Sequence, residues 1–453
     1  MSRPLHQQTL SLDHGAFVKT LAATENLLII QDLDGVCMGL VNDPLTRIIS
    51  PSYIQATQAF GPHFYVLTNG EHTGRRGVNQ IVETSLKQAP AVVSQQQQYL
   101  PGLAAGGVQW QNRDGVVTHP GVSQAELSFL KAVPAKMEAC LRAFFAQHPL
   151  STEFQQPLDT YLAATVLDNI ASPTVNLNTL YPLLAKDPST FAALQKRMRS
   201  QLEDLLIEAT QQGLGDCFFI HYAPNLGRDR SGNEIVWFCD DAAEPGSGQS
   251  ASGQSGTTDY QFMLRGAIKE VGVLALLNRY YFHQTGRYPL GESFNVRRAP
   301  HDMDALVSLV AENFDPAQMP LIVGVGDTVT AQQSAGGVGS EVVGSEVKRG
   351  GSDRNFLQLI QNLKEPFNSQ HLTVYVDSSG GELKNRRPLK LSSPTQLSNQ
   401  AANIPQIPQQ VISGPGDPAD PLRLNVAFPG GHMQYCQFFE KAARERSLRL
   451  IQV

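Results

Sequence analysis

The pattern of apolar and polar positions predicts a buried parallel strand at residues 27–30, where four apolar residues run together. Asp32 and Asp34 follow this run directly, and Gly35 supplies a turn. Similar short apolar runs that end in polar or glycine residues are found at 64–67, 321–325, 372–376 and 424–428. Because helical patterns alternate with these runs, the chain is predicted to form an α/β fold around a parallel sheet.

A different pattern fills the middle of the chain. Two stripes of apolar residues at helical spacing occur there, Met137, Cys140, Leu141 and Phe144 in the first, and Leu194, Met198, Leu202 and Leu205 in the second. Predicted strands follow at 217–222 and 234–238. The α/β pattern then returns with a predicted helix at 263–281 that bears Lys269. We therefore predict a core built from residues 1–125 and 258–453, with an α+β cap domain inserted at 126–257.

Three segments are predicted to lack regular structure. Residues 246–256 form a Gly/Ser/Gln-rich tether, residues 331–351 contain a repeated Gly-Ser-Glu-Val, and residues 392–421 are rich in Pro, Gln and Ser.

Composition narrows the class of protein. The 453 residues are 41% hydrophobic and 17% charged, as expected of a globular chain of more than one domain. A formal net charge of −6 without a Lys/Arg-rich run argues against a nucleic-acid partner, and no apolar stretch approaches a membrane span. The five cysteines have no paired spacing, which disfavours a disulfide framework or a zinc site. A cytoplasmic protein is the expectation.

The two acids after the first strand are the leading candidates for chemistry. Ligands of α/β sheets bind beyond the carboxyl ends of the strands, where Asp32 and Asp34 are placed. An Asp can attack phosphorus to form an aspartyl-phosphate, and a second acid can carry protons to and from the leaving group. An exposed strand-to-turn junction would also contain such residues, so the pair alone leaves both interpretations open.

Other polar residues occur at comparable positions. Thr68 and Asn69 end the second strand and offer a hydroxyl and an amide to phosphate oxygens. Lys269 offers a cation for the charge on a transferring phosphoryl group. Asp327 ends a later strand and adds oxygen ligands of the kind that Mg²⁺ prefers. The ordered set indicates a Mg²⁺-dependent phosphoryl-transfer site.

This order of motifs resembles that of the haloacid dehalogenase superfamily. Over nearly its whole length the chain resembles, within that superfamily, the cyanobacterial glucosylglycerol 3-phosphate phosphatases, which make an osmolyte under salt stress. The segments that carry the resemblance are 31–37 (QDLDGVC), 64–72 (FYVLTNGEH), 100–110 (LPGLAAGGVQW), 166–180, 221–229 (HYAPNLGRD), 262–281, 321–330 (LIVGVGDTVT) and 427–432.

The resemblance implies a role for each residue of the set. Asp32 is the nucleophile and a Mg²⁺ ligand, and Asp34 is the general acid/base and offers its backbone carbonyl to the metal. Thr68 and Lys269 hold the phosphoryl group, and Asp327 is a further metal ligand. The inserted domain is implied to cover the sugar.

A departure from the superfamily pattern concerns the last acid. Relatives often carry a second acid soon after the position of Asp327, whereas Val329, Thr330 and Ala331 stand here. One interpretation is that a loop splits the motif and returns Asp353 to the metal, directly or through water. The alternative is that Asp353 caps the helix that follows, and both can hold.

Several residues are weaker candidates for binding the sugar phosphate. Glu71, His72 and Arg75 follow the phosphate-binding turn, and Asn225 and Arg228 lie in a polar loop of the inserted domain. Each has a structural alternative, because solvated helix starts and turns use the same residue types.

The function implied by the resemblance is hydrolysis of glucosylglycerol 3-phosphate through an aspartyl-phosphate, with the synthase that makes this substrate as a partner. Two alternatives stay open from the residues alone. One is a phosphatase for another sugar phosphate, such as sucrose or trehalose phosphate, and the other is a non-catalytic sugar-phosphate sensor.

Overall fold

The computed structural model describes residues 3–150, 157–223, 225–228, 234–239, 255–333, 347–383, 386, 388–391, 411–413 and 420–452. The predicted tether at 246–256 lies almost entirely outside the described residues. Among the described residues, no helix combines the length and the apolar character that crossing a bilayer requires.

The first part of the chain alternates strands and helices. In chain order its elements are α1 (His14–Ala23), β1 (Leu27–Gln31), α2 (Pro51–Gln58), β2 (Phe64–Leu67), α3 (Val78–Leu86), α4 (Pro90–Gln95), β3 (Gly102–Ala104), β4 (Gln109–Gln111) and β5 (Val117–Thr118).

The middle part contains long helices and short strands. Its elements are α5 (Gln124–Gln147), α6 (Leu158–Thr165), β6 (Val166–Leu167), β7 (Thr174–Asn176), α7 (Tyr181–Leu184), α8 (Pro188–Gln211), β8 (Phe218–Ala223), β9 (Asn225–Arg228), β10 (Glu234–Val236) and β11 (Asp259–Leu264).

The last part returns to alternating strands and helices. Its elements are α9 (Lys269–Thr285), α10 (Met303–Asn313), β12 (Leu321–Gly326), β13 (Thr330–Gln333), β14 (Val347–Gly350), α11 (Arg354–Asn362), α12 (Lys364–Phe367), β15 (Leu372–Val376), β16 (Lys390–Leu391), β17 (Val411–Ser413), β18 (Val426–Phe428) and α13 (Gly431–Gln452). Short 3₁₀ helices occur at Leu5–Gln7, Pro44–Thr46, Gly61–His63, Ala105–Gly107, Leu177–Thr179, Val296–Arg298 and Pro316–Gln318.

Eight of the described strands form one sheet in the order β18-β15-β12-β1-β2-β3-β4-β5. The first six strands of this order are parallel to their neighbours, and β4 and β5 add an antiparallel hairpin at one edge. β1 is central, between β12 and β2, so Asp32 follows the middle of the sheet. The predicted α/β fold with a parallel sheet is confirmed.

Helices cover both faces of this sheet, which explains why its strands read as uniform apolar runs. Leu28 and Ile30 point to the face on which α9, α10 and α11 pack, whereas Leu27 and Ile29 point to the face covered by α1, α2 and α13. The alternation along β1 therefore anchors the strand from both sides and fixes the register at its carboxyl end.

A second sheet belongs to the inserted part and has the order β6-β7-β11-β8. β11 pairs antiparallel with both β7 and β8. The predicted boundary at 257/258 precedes β11, so the sheet of the insertion reaches to Leu264. The boundaries at 125/126 and 257/258 otherwise stay predictions.

The predicted helix at 263–281 was wrong at its start. Met263 and Leu264 end β11, because their backbone pairs with Phe219 and Phe218 of β8. Gly266 then turns the chain at a φ of +87°, and the helix begins only at Lys269.

The prediction that 331–351 and 392–421 lack regular structure is wrong at their described ends, which contain short antiparallel pairs. β13 pairs with β14 across the segment predicted at 331–351, and β16 pairs with β17 within and beside the segment predicted at 392–421. The remaining residues of both segments lie mostly outside the described chain.

Candidate active site

Asp32 and Lys269 meet at the carboxyl edge of the main sheet. Asp32 follows β1, where its backbone N–H donates to Val325 O at 2.9 Å. Lys269 is the first residue of α9, and its Nζ lies 2.8 Å from Asp32 Oδ2. Both side chains are buried. The two residues are far apart along the chain, yet the fold joins them in an ion pair.

Asp353 completes this cluster on the other side of the lysine. Its Oδ1 accepts from Lys269 Nζ at 2.7 Å, while its Oδ2 accepts from the backbone N–H groups of Asp327 and Thr328 at 2.9 and 3.0 Å. Asp353 is the N-cap residue of α11, but its side chain makes no capping hydrogen bond. The carboxylate is instead directed towards Lys269 and the end of β12, and its contact with a metal stays a prediction.

Asp327 follows β12 and lies beside the turn after Asp34. A Cβ at Gly35, whose φ is +77°, would stand 2.3 Å from Asp327 Oδ2, so only glycine fits this approach. Thr328 Oγ1 donates to Asp327 Oδ1 at 2.8 Å. The other oxygen, Oδ2, is buried without a hydrogen bond to any described residue, and Arg386 Nε is 4.0 Å away.

These three acids fit a divalent cation. Asp32, Asp327 and Asp353 are buried, and each offers a carboxylate oxygen within 4.8 Å of the others. Carboxylate oxygens are the ligands that hard cations such as Mg²⁺ prefer, and Asp327 Oδ2 accepts no hydrogen bond from any residue that the structure describes.

The charges of the cluster oppose one another. Burial raises the pKa of Asp32 well above its ordinary value, although Lys269 opposes this, and burial together with Asp353 raises the pKa of Asp327 to about 7. Burial would also raise the pKa of Asp353, but Lys269 and the backbone donors lower it. Burial would lower the pKa of Lys269, but the two carboxylates outweigh burial and raise that pKa. Lys269 is thus the shared counter-ion of Asp32 and Asp353, with Asp327 nearby as a third acid. A further positive charge would stabilise the ionised forms of the three acids.

Asp34 is held by a residue that the sequence did not single out. Arg47 Nε lies 3.0 Å from Asp34 Oδ1, and the two side chains are 21% and 27% exposed. Arg47 follows a 3₁₀ turn and is brought back to the strand end by the path of the loop after β1. Asp34 is therefore accessible, as a proton carrier for a bound substrate must be.

Thr68 lies at the same sheet edge, one strand away from Asp32. In the register between β1 and β2, Gln31 is opposite Val66, so Thr68 extends just beyond Asp32. The Thr68 hydroxyl accepts from Gly70 N–H at 3.2 Å. Asn69, the next residue, is partly exposed. Both positions suit the predicted phosphate-binding turn.

Glu71 has a different environment from the one predicted. Its buried carboxylate accepts from the backbone N–H groups of Ile170, Ala171 and Ser172 at 2.7–2.8 Å, and from Ser172 Oγ at 2.9 Å. These donors belong to the inserted domain, directly before β7. Glu71 therefore joins the predicted phosphate-binding turn to the insertion, and its oxygens are already occupied.

Replacing Glu71 with Ala should lower the free energy of unfolding by about 3 kcal/mol, because three backbone N–H groups lose their buried acceptor. Urea unfolding of Glu71→Ala at neutral pH would measure this. Glu365→Ala, at an exposed position of α12, is the matched control and should change the free energy little. Equal stability of the two variants would contradict the proposed structural role of Glu71.

His72 is fully buried and makes contacts only with the core among the described residues. Its backbone N–H donates to Gln109 Oε1 at 2.6 Å, and its Nε2 lies 3.2 Å from Gly102 O. Burial lowers the pKa of His72 to about 4. The predicted contact of His72 with the sugar phosphate is not supported by this position.

The buried histidine makes stability depend on pH. The unfolded chain protonates His72 near its ordinary pKa, whereas the folded protein keeps it neutral, so stability is lost as the pH falls from about 6.5 towards about 4. This residue alone should remove roughly 2 kcal/mol of unfolding free energy between about pH 7.5 and about pH 5. Urea unfolding of wild type and His72→Gln at both pH values isolates the contribution, which should be missing from the variant. Parallel pH curves for the two proteins would refute it.

Arg75 lies at the junction with the insertion. Its side chain is 60% exposed and its Nε is 3.6 Å from Asp168 Oδ2, while its backbone N–H donates to the same oxygen at 3.0 Å. Arg76, which is buried, reaches Asp168 Oδ1 at 3.7 Å and the carbonyls of Val166 and Ala163. The pair thus attaches the inserted domain, and a role of Arg75 with substrate stays a prediction.

The two candidates in the insertion lie in a strand rather than a loop. Asn225 and Arg228 are the ends of β9, which pairs with β10. Asn225 Nδ2 donates to Tyr222 O at 2.9 Å and to Glu234 Oε2 at 3.1 Å. The side chain of Arg228 lies outside the described part of the structure, so its role stays a prediction.

Fold and site together define a class. Two acids follow the central strand of a doubly wound sheet, and a lysine pairs with the first of them. Further acids follow a later strand, and an α+β domain is inserted in the core. These are the features of a phosphatase of the haloacid dehalogenase superfamily. A family model described as glucosylglycerol-phosphate phosphatase matches residues 26–443, and the chain belongs to this family. A curated glucosylglycerol-phosphate phosphatase from Synechocystis is 56% identical over 451 residues, which are 99% of this chain and 100% of that relative.

Two solved structures align over most of the chain. The trehalose-6-phosphate phosphatase C-terminal domain of C. albicans covers 96% of this chain and 99% of its own, with 9% identity and a TM-score of 0.41. Aspergillus fumigatus trehalose-6-phosphate phosphatase covers 97% and 99%, with 10% identity and a TM-score of 0.36. The family assignment rests on the sequence matches.

Proposed function

We propose that the chain hydrolyses glucosylglycerol 3-phosphate to glucosylglycerol and phosphate, through an aspartyl-phosphate on Asp32 and with Mg²⁺ as cofactor. Membership of the glucosylglycerol-phosphate phosphatase family supports the substrate. The observation that carries the mechanism is the buried cluster in which Lys269 joins Asp32 to Asp353 beside Asp327.

The reaction divides between the two acids after β1. An Asp32 carboxylate oxygen attacks phosphorus, the bond between phosphorus and the ester oxygen breaks, and Asp34 gives a proton to the departing alcohol. Asp34 then takes a proton from water, whose oxygen attacks phosphorus, so that phosphate leaves and the Asp32 carboxylate is restored. Lys269 and Thr68 hold the phosphoryl oxygens, and the positive charge of Lys269 favours the ionised form of Asp32 against the burial that raises its pKa.

Asp32, Asp327 and the backbone carbonyl of Asp34 would hold Mg²⁺, and Asp353 would contribute directly or through water. Bound Mg²⁺ supplies Lewis-acid stabilisation of the negative charge on the phosphoryl group. The Thr328 hydroxyl orients Asp327, and the backbone N–H groups at the end of β12 orient Asp353.

Phosphate release from glucosylglycerol 3-phosphate tests the proposal most directly. We expect turnover in Mg²⁺, loss of at least about a hundredfold after chelation with EDTA, and recovery when Mg²⁺ is added back. Thermal unfolding should also shift upwards on adding Mg²⁺, because the cation binds only the folded cluster of acids. Full turnover in EDTA would overturn the cofactor assignment.

A substrate panel separates the proposal from its alternatives. Glucosylglycerol 3-phosphate should be hydrolysed with a higher kcat/KM than sucrose 6-phosphate or trehalose 6-phosphate. Tight binding of a sugar phosphate in Mg²⁺ without release of phosphate would instead favour a sensor. The contact with the synthase that makes the substrate and the cytoplasmic location stay predictions, which co-purification and fractionation would test.

A further inference from the structure

The sheet of the inserted domain has one apolar face and one face that is polar over part of its length. Side chains of alternate residues on β8 and β11, including Phe218, Tyr222, Tyr260 and Phe262, are buried against α5 and α8. Phe129 of α5 stacks on Phe218 with ring centroids 5.2 Å apart. The intervening residues lie on the opposite face, where Phe219 and Met263 are apolar and belong to the side of the hydrophobic core. The rest of that face is what we call the polar face, namely Thr174, Asn176, His221, Ala223, Asp259 and Gln261.

The polar face is built in register across three strands. Gln261 of β11 lies opposite His221 of β8 on one side and Thr174 of β7 on the other. Gln261 is half-buried, and its amide makes no hydrogen bond to any residue that the structure describes. His221 Nδ1 lies 3.0 Å from Glu234 Oε1, which fixes the ring and leaves Nε2 for a ligand.

Two connections place this face beside the reacting groups. The segment held by the Glu71 carboxylate, 170–172, leads directly into β7, so the sheet is attached next to the turn that carries Thr68. On the other side, Arg47 pairs with Asp34 at 3.0 Å and lies near Asp259, where it opposes the burial that raises the pKa of Asp259 to about 6. The start of β11 is thus close to the proton carrier.

The chemistry of the polar face suits a neutral, hydroxyl-rich group. Gln261 and His221 can each donate and accept hydrogen bonds, as sugar hydroxyls require. Asp259 and Glu234 add negative charge, which disfavours a second phosphate at this position. Given the proposed function, we infer that the polar face recognises the glucosyl hydroxyls of the substrate, with Gln261 and His221 as the specificity-determining residues.

The test compares two esters that differ only by the glucosyl group, glucosylglycerol 3-phosphate and glycerol 3-phosphate. In Gln261→Leu, the ratio of their kcat/KM values should fall at least about tenfold, because the amide contacts only the glucosyl part. The inhibition constant for inorganic phosphate reports the phosphoryl site separately and should change less than about twofold. Gln211→Leu, at the exposed end of α8, is the matched control and should keep the wild-type ratio.

His221→Gln is the second variant, and its ratio should fall in the same direction. Thermal unfolding of each variant shows whether it is folded when assayed. A wild-type ratio in folded Gln261→Leu and His221→Gln would overturn the inference. Failure of the proposed function is distinct, because wild type itself would then release no phosphate from the glucosylated ester.

Discussion

Replacing Asp32 with Asn should lower kcat for phosphate release by about a thousandfold or more. The neutral amide cannot form an aspartyl-phosphate, while its shape is nearly that of the carboxylate. Lys269 keeps Asp353 as an ionic partner at 2.7 Å, so we expect Asp32→Asn to fold. The experiment measures phosphate release from glucosylglycerol 3-phosphate in saturating Mg²⁺, with thermal unfolding of the same samples.

Asp204→Asn, at an exposed position of α8, is the matched control and should keep the wild-type kcat. If folded Asp32→Asn retained a tenth or more of the wild-type rate, Asp32 could not be the nucleophile. Acid quenching during turnover adds an independent observation, since wild type should carry phosphate on Asp32 and the variant should not.

Replacing Lys269 with Met should affect both stability and catalysis. The lysine is the shared counter-ion of Asp32 and Asp353, at 2.8 and 2.7 Å, and all three side chains are buried. Removing it leaves two buried carboxylates without their counter-ion, so the free energy of unfolding should fall by about 3–5 kcal/mol in the absence of metal. The charge proposed to hold the phosphoryl oxygens is lost as well, and kcat should drop by about a hundredfold or more.

A double-mutant cycle separates these effects. Asp353→Asn removes one of the two carboxylates that lose their counter-ion in Lys269→Met. Lys269→Met should therefore lower the free energy of unfolding less in the Asp353→Asn background than in wild type. Lys131→Met, at an exposed position of α5, controls for the substitution itself. If the changes in unfolding free energy caused by Lys269→Met and Asp353→Asn were additive, the 2.7 Å contact between the two side chains would have no coupling energy.

Much of the core fold could be predicted because β1, β2, β12 and β15 are buried on both faces. Such strands read as continuous apolar runs, and the polar residue that ends each run marks the edge where ligands bind. The amino-acid pattern alone is enough to place Asp32 and Asp327 at this edge. The partnership of Lys269 with Asp32 followed from the family pattern rather than from any local signal.

Other features depend on contacts between distant segments, which a local pattern does not record. Glu71 and His72 are polar residues beside the proposed phosphate-binding turn, but packing against the insertion and against Gln109 turns them inward. The run at 262–264 suits a helix or a strand, and pairing with β8 decides for a strand. Arg47 had no signal at all, because the loop path alone brings it to Asp34.

The Glu71 junction has a mechanical consequence. Because the Glu71 carboxylate binds the backbone of 170–172, a displacement of the inserted domain at this junction would also displace the turn that carries Thr68. We therefore expect binding of the sugar and binding of the phosphoryl group to be coupled. Release of the alcohol should then weaken the binding of phosphate. Substrate binding and product release would then depend on the same displacement of the inserted domain.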